Sequence, residues 1–446
     1  MADLLDAVIT HLPEVDGPKR KLSFKEKLKW TLIILVIFFI LGLVPLFGLG
    51  ENALQQFEFL STVLGASFGS LISLGIGPIV TASIVLQLLN GSGIVHFDTS
   101  SPEGKRRYQG IQKLLAITFV IVESFVYVNL GGLTPLPGVS SFVLVSQLFL
   151  GGILIMLMDE TTAKWGFGSG ISLFIAAGVS QSIFIRLFSP FKQVVEGVEA
   201  SQFSAGKIFE LVQALQVGDT AVAAIAFFTI LMTLVVFAAC VFTQAMKVEI
   251  PLSFGRIRGH GIRWPLSFFY TSNIPVILTA ALLANLQLVS RLAKAQWADG
   301  FVAWVTPTNI LELAINGSLS WINIAQAFTY ILVFVIFSVI FAVFWVQTAG
   351  LDSRSQAKQI MQSGLQIPGF RKDPRVLERI LNRYIWPLAV MGGVAVGLLA
   401  SVADLTGALG SGTGILLTVM IVYRMYTDIA REHMMDFAPA MKRFMG

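Results

Sequence analysis

The sequence predicts an all-α membrane protein, with ten transmembrane helices in two inverted five-helix halves around a central pore and a short re-entrant helix after the first. Three observations predict it. Of the 446 residues, 55% are hydrophobic and only 13% charged, with a mean hydropathy of +0.77, whereas a soluble domain carries roughly 25% charged residues. Ten apolar runs reach or approach the roughly 20 residues that a hydrocarbon core of about 30 Å requires. Two short motifs recur five runs apart, and an odd offset turns one half upside down relative to the other.

The runs are expected at 30–47, 76–90, 111–130, 141–158, 171–188, 220–245, 266–289, 323–347, 385–403 and 411–430. Between the first two, "LQQFEFLSTVLGASFGSLI" (54–72) is too polar to span and reads as a half-helix that dips into the membrane without crossing it. Of the 31 Lys and Arg residues, 26 fall in the N-terminal 1–29, around the connections after even-numbered runs, or at the C-terminal end. Basic residues accumulate on the cytoplasmic side, so both termini are expected there, in a cell membrane. The halves are then 30–189 and 219–432, joined by an external hinge at 190–218. Cytoplasmic loops are expected at 247–265 and 349–384, and a cytoplasmic tail at 433–446. No cleavable signal peptide is expected in the acidic-then-basic N-terminal stretch.

The repeat rests on "PIVTA" (Pro78–Ala82) in the second run against "PVILTA" (Pro275–Ala280) in the seventh, and on "GSGI" (Gly168–Ile171) before the fifth against "GTGI" (Gly412–Ile415) at the tenth. Gly75, Gly77 and Pro78 break the start of the second run, where a spanning helix should be most regular. Pro275 interrupts the seventh, and glycines precede the fifth and tenth. Irregular backbone at depth is tolerated where it is buried in protein or lines a water-filled cavity. Close packing by small residues explains any one site; four symmetric sites point to a pore. The side chains just after the breaks are aliphatic: Ile76, Val80, Ile171, Ile175, Ile277 and Leu417. Such a ring binds no ion but makes a dewetted constriction.

Several function classes are excluded. One cysteine and four scattered histidines offer no disulfide framework or metal site, no nucleotide-binding loop or hydrolase motif occurs, and no pair of catalytic groups suggests an enzyme. Glu123 is the one ionisable residue near the middle of an expected span, with Thr81 and Asn285 as candidate partners. It leaves open a secondary transporter of a small solute, with Glu123 as coupling group and the broken helices as substrate site. The loops containing "VEIPLSFGRIRGHGIRW" and "IPGFRKDPRVLERILNRY" are basic enough to bind anionic lipid or RNA phosphate.

Seven stretches together resemble the SecY family, the α subunits of the protein-conducting translocation channel, in its archaeal and eukaryotic branch: "FKEKLKW", "LGIGPIVTASIVLQLL", "GSGISLFIAAGVSQ", "VEIPLSFGRIRG", "SNIPVILTAALLANLQL", "WVQTAGLDSRSQAKQ" and "GTGILLTVMIVYRMY". The resemblance spans about residues 20–435. It implies a plug helix at about 54–70 hinged at Gly75, Gly77 and Pro78, and a pore ring of the six aliphatic residues, with Leu416 the alternative to Leu417. It also implies a lateral gate between the second and seventh runs carrying a polar cluster of Thr81, Glu123 and Asn285. Signal sequences and nascent polypeptides would pass through the pore or leave it sideways into membrane lipid. Arg256, Arg258 and Arg371 match positions that contact the ribosome. A SecE-like γ subunit and a small β subunit are the implied partners, no cofactor is implied, and the plug's Gln55, Gln56 and Glu58 would face the wet outer funnel.

Overall fold

A computed structural model describes residues 12–52, 67–91, 94–95, 97, 102–192, 203–254, 261–271, 274–293, 296–362, 365–366, 374–410 and 412–444. Each of the ten expected runs is a helix. The first five are α1 (Phe24–Leu43), α2 (Gly77–Gly91), α3 (Pro102–Asn129), α4 (Ser141–Trp165) and α5 (Gly170–Phe188). After α6 (Lys207–Val217), inside the expected external hinge, come α7 (Thr220–Ala245) and α8 (Ile274–Ala293). The short α9 (Gln296–Val305) and α10 (Ile310–Ile315) lead to α11 (Trp321–Thr348), α12 (Ser353–Gln362), α13 (Pro374–Leu405) and α14 (Gly412–Phe444). Among the described residues, seven helices are long and apolar enough to cross a membrane, and α2 and α8 contribute shorter apolar stretches, Gly77–Asn90 and Ile274–Gln287. The protein is a multi-pass membrane protein.

Local chemistry sets the helix ends. Ser23 and Glu26 form a capping box that starts α1 at Phe24, six residues before the expected span: Ser23 Oγ accepts from the Glu26 N–H at 3.4 Å and Glu26 Oε2 from the Ser23 N–H at 2.9 Å. Asp219 caps α7, accepting from the Val222 N–H at 3.1 Å, directly after Gly218 ends α6 in the left-handed conformation at φ +82°. Pro102 opens α3, where its missing N–H costs no helical hydrogen bond.

Two expectations about boundaries change. The seventh span does not begin at 266: residues 261–267 form a strand, and the helix starts at Ile274. Phe268, Phe269 and Tyr270 are as apolar as a helix turn, so hydropathy alone extends the run through them. The first basic loop is an ordered hairpin, in which β3 (Lys247–Phe254) pairs antiparallel with β4 (Gly261–Ser267), Val248 opposite Leu266, and β5 (Leu365–Gln366) adds to the far edge of β3. Ile250 and Leu266 pack with Val346, Ile360, Leu381 and Ile385 in a satellite core. That core ties both basic loops into one body at the ends of α11 and α13. On the opposite side, β1 (Leu49–Asn52) pairs with β2 (Leu133–Pro135).

The main core runs through the middle of the bundle and draws on all ten long helices. Helix α13 lies close on α11: a β-carbon on Gly397 would stand 2.9 Å from Val335 Cα, and one on Gly393 3.1 Å from Val339 Cα. This small-xxx-small spacing lets membrane helices approach by their backbones.

Candidate functional site

The four broken helix starts converge. Ile76, Val80, Ile175, Ile277, Leu416 and Leu417 are buried in a single cluster, with Ile171 packed against it. Both candidates in α14 are buried, Leu416 at 0% exposure and Leu417 at 1%.

A cavity of about 1090 Å³ opens on the face that carries the basic loops. Its wall is polar along Ser83, Gln87, Gln109, Gln112 and Gln359, and basic at Lys105, Lys358 and Arg424. Val80, Ile171 and Ile277 also line it. One helical turn further along the same helices, Ile76 and Ile175 no longer line the cavity and are buried instead. The aliphatic residues therefore pack together where the polar cavity meets the core of the bundle.

The three polar residues meet beside this layer. Asn285 Nδ2 on α8 donates to Thr81 Oγ1 on α2 at 3.0 Å. The Thr81 hydroxyl donates to the Gly77 carbonyl at 2.8 Å, with Glu123 Oε1 of α3 at 3.4 Å as its other acceptor. Thr81 is thus the centre of the cluster, and Glu123 is joined to Asn285 through it. The other half repeats the arrangement five helices on. The Thr279 hydroxyl donates to the Pro275 carbonyl at 2.8 Å and lies 3.3 Å from Ser338 Oγ on α11.

Gly75, at φ +56°, has a backbone that only glycine adopts freely, and Gly77 and Pro78 open α2. The turn before them is tied down. Leu46 N–H donates to the Gly69 carbonyl at 2.9 Å, Leu71 N–H to the Val44 carbonyl at 2.9 Å, and Ser67 Oγ to the Gly42 carbonyl at 3.1 Å. Most of the expected plug, including Gln55, Gln56 and Glu58, lies outside the described residues, as do Arg256, Arg258 and Arg371.

Sequence reasoning missed two acids, Asp159 near the end of α4 and Asp404 near the end of α13. Ile171 N–H donates to Asp159 Oδ1 at 2.9 Å, and Thr413 N–H to Asp404 Oδ1 at 2.8 Å. Their signal was present: each precedes the repeated glycine motif by about ten residues. At a span's edge, however, an acid reads as interfacial.

Comparison with known proteins matches this architecture. The SecY family profile matches residues 70–426, and that of the plug domain of Sec61p matches 36–69. The protein translocase subunit SecY of Methanothermobacter thermautotrophicus is 42% identical, over 100% of this chain and 99% of its own. A solved structure of a protein-conducting channel superposes with a TM-score of 0.83 at 40% identity, covering 98% of this chain and 99% of its own. Sec61 in the canine ribosome-channel complex from the endoplasmic reticulum superposes with a TM-score of 0.80, also at 40% identity and with the same coverage.

Proposed function

The chain belongs to the SecY family and is the pore-forming subunit of a protein-conducting channel, and we propose that it works as a passive conduit whose idle pore is sealed by Ile76, Val80, Ile171, Ile175, Ile277 and Leu417. The observation that carries this reading is the buried aliphatic cluster that borders the polar cavity. Elongating ribosomes or another motor supply the energy. A signal helix intercalates between α2 and α8, the plug of about 54–70 leaves the pore, and the ring closes around the moving chain. Both termini and the basic loops face the cytoplasm, a SecE-like γ subunit clamps the halves, and a β subunit sits at the periphery.

The seam opens at a reachable energy. Leu, Ile, Phe and Val are each worth about 0.3–0.6 kcal/mol at mid-helix, so about ten of them supply roughly 3–6 kcal/mol, comparable with the few kcal/mol separating two states of a gated protein. The hydrogen bonds that tie the Ser67–Leu71 turn to the end of α1 support a change from the expected hinge. That turn stays with α1, and Gly75, Gly77 and Pro78 hold the bend into α2.

Photocrosslinking from Val80 and Ile277 to a ribosome-stalled nascent chain tests the conduit. Crosslinks at both positions are expected and should vanish when the signal sequence is made polar. Their absence from membranes that still insert the chain would return the solute carrier to first place. Charge reversal at Arg256 and Arg371 is expected to weaken ribosome co-sedimentation, most clearly at low salt.

A further inference from the structure

We propose that Asp159 and Asp404 are paired positioning residues that hold the starts of α5 and α14, and through them the depth and facing of the pore ring. This rests on the ring reading given above.

The two acids occupy the same place in the inverted halves. Each lies near the C-terminal end of a helix, α4 or α13, and reaches across the following turn to the start of the next helix, α5 or α14. In both cases Oδ1 accepts the N–H of the second residue of that helix, Ile171 in α5 and Thr413 in α14. In both cases the hydroxyl of the repeated G-[S/T]-G-I motif also donates to the carboxylate: Ser169 Oγ to Asp159 Oδ1 at 3.4 Å, and Thr413 Oγ1 to Asp404 Oδ2. Tyr330 of α11 adds a third donor to Asp404 at 2.7 Å.

The glycines that open the two helices make these contacts possible. A β-carbon on Gly170 would stand 2.5 Å from Asp159 Cα, and one on Gly412 2.1 Å from the main-chain carbon of Ala403. Each helix therefore starts in direct backbone contact with the helix before it. A carboxylate at a helix start satisfies N–H groups that have no partner within the helix and meets the positive end of its dipole.

The consequence for the ring is direct in one half. The residue whose N–H Asp159 holds is Ile171, itself a ring residue, and Ile175 follows one turn later on the same face. In the other half, Leu416 and Leu417 follow Thr413 by about one turn. Rotation about a helix axis moves successive residues by about 100°, so a slipped start turns the ring side chains away from the pore. Carboxylates accepting from fixed main-chain N–H groups make stronger and more directional bonds than neutral pairs, which suits a part that must return to one position after each passage.

The test is the conductance of the idle channel, reconstituted in planar bilayers as the full complex, for Asp159→Ala and Asp404→Ala beside Asp159→Asn and Asp404→Asn. The alanine variants are expected to leak about tenfold more than wild type, and the asparagine variants, which keep an acceptor for the N–H, to stay within about twofold. Ile171→Ser is the independent ring probe. Alanine variants that melt earlier yet stay as tight as wild type, while Ile171→Ser leaks, would overturn the positioning role and leave the ring standing. Tightness of Ile171→Ser as well would overturn the ring reading itself. Where alanine variants do not accumulate, Ser169→Ala with Thr413→Ala removes one donor from each carboxylate. A leak between wild type and Ile171→Ser supports the proposal, and wild-type tightness overturns it.

Discussion

A β-carbon on Gly151 would stand 1.8 Å from the carbonyl oxygen of Leu71, so the middle of α4 has room for the backbone of the plug connector and for no side chain. The connector is thereby gripped from two sides, by α4 and by its hydrogen bonds to the end of α1. Gly151→Ala forces a backbone that is already bonded to move, and overpacking of this kind costs about 1–3 kcal/mol. Thermal unfolding of the purified complex should show a clear loss of stability. Gly178→Ala in α5 is the control: nothing lies within 4 Å of its added carbon, and alanine raises helix propensity by about 1 kcal/mol, so its melting temperature should hold or rise.

Thr81→Ala removes the acceptor for Asn285 and a donor facing Glu123, loosening the seam between α2 and α8. Side-chain hydrogen bonds between membrane helices average about 0.6 kcal/mol, and one leucine of a signal helix is worth about 0.3–0.6 kcal/mol. The variant should therefore translocate reporters whose signal sequences carry about one or two fewer leucines than wild type requires. A graded leucine series read by glycosylation or protease protection measures the threshold. An unmoved threshold would remove Thr81 from the gate.

The parts of this molecule that were legible in the sequence are those encoded in local contrasts. Apolar length marked the spans, and isolated polar residues in apolar surroundings marked Thr81, Glu123 and Asn285, which meet half-buried between α2, α3 and α8. The hairpin in the first basic loop was hidden because Gly, Pro and Arg interrupt its apolar pattern, although Val248, Ile250 and Leu252 alternate as a strand requires. Gly151 could not be assigned because a glycine in an apolar helix reveals that something comes close, not what. Asp159 and Asp404 were missed because an acid at the edge of a span reads as interfacial, and residue identity does not show that each turns back to the start of the next helix.

The N-terminal segment is strapped to the end of α4. Lys164 Nζ donates to Glu14 Oε1 at 2.7 Å, to the Val15 carbonyl at 2.5 Å and to Glu160 Oε1 at 2.9 Å, while Trp165 Nε1 donates to the Asp16 carbonyl at 2.8 Å. The hydrogen bond and charge of Lys164 hold the Glu14 carboxyl below its ordinary value. A lowered folded value means that Glu14 contributes to the strap above the ordinary carboxylate range and ceases to as pH falls through its folded value. A nitroxide on Val15→Cys should be immobilised at about pH 7 and more mobile at about pH 3. Glu14→Gln should flatten the part of that change that Glu14 contributes.

Ile76→Ser with Ile277→Ser tests the seal itself. Ile76 and Ile277 are 1% and 5% exposed, so a hydroxyl at each gives water two partners where it had none, and the barrier to ions falls with the dewetting. Idle-channel conductance should rise. The same changes also remove buried methyl groups, which destabilises any core position, so leak alone would not separate a pore position from a weakened bundle. Ile84→Ser makes the separation: Ile84 is 4% exposed, lies in the same buried cluster two turns along α2 and is outside the ring. It should lower the melting temperature comparably and leave the conductance at wild-type level. Equal leak from Ile84→Ser would mean that the seal is a property of the packed bundle and not of these side chains.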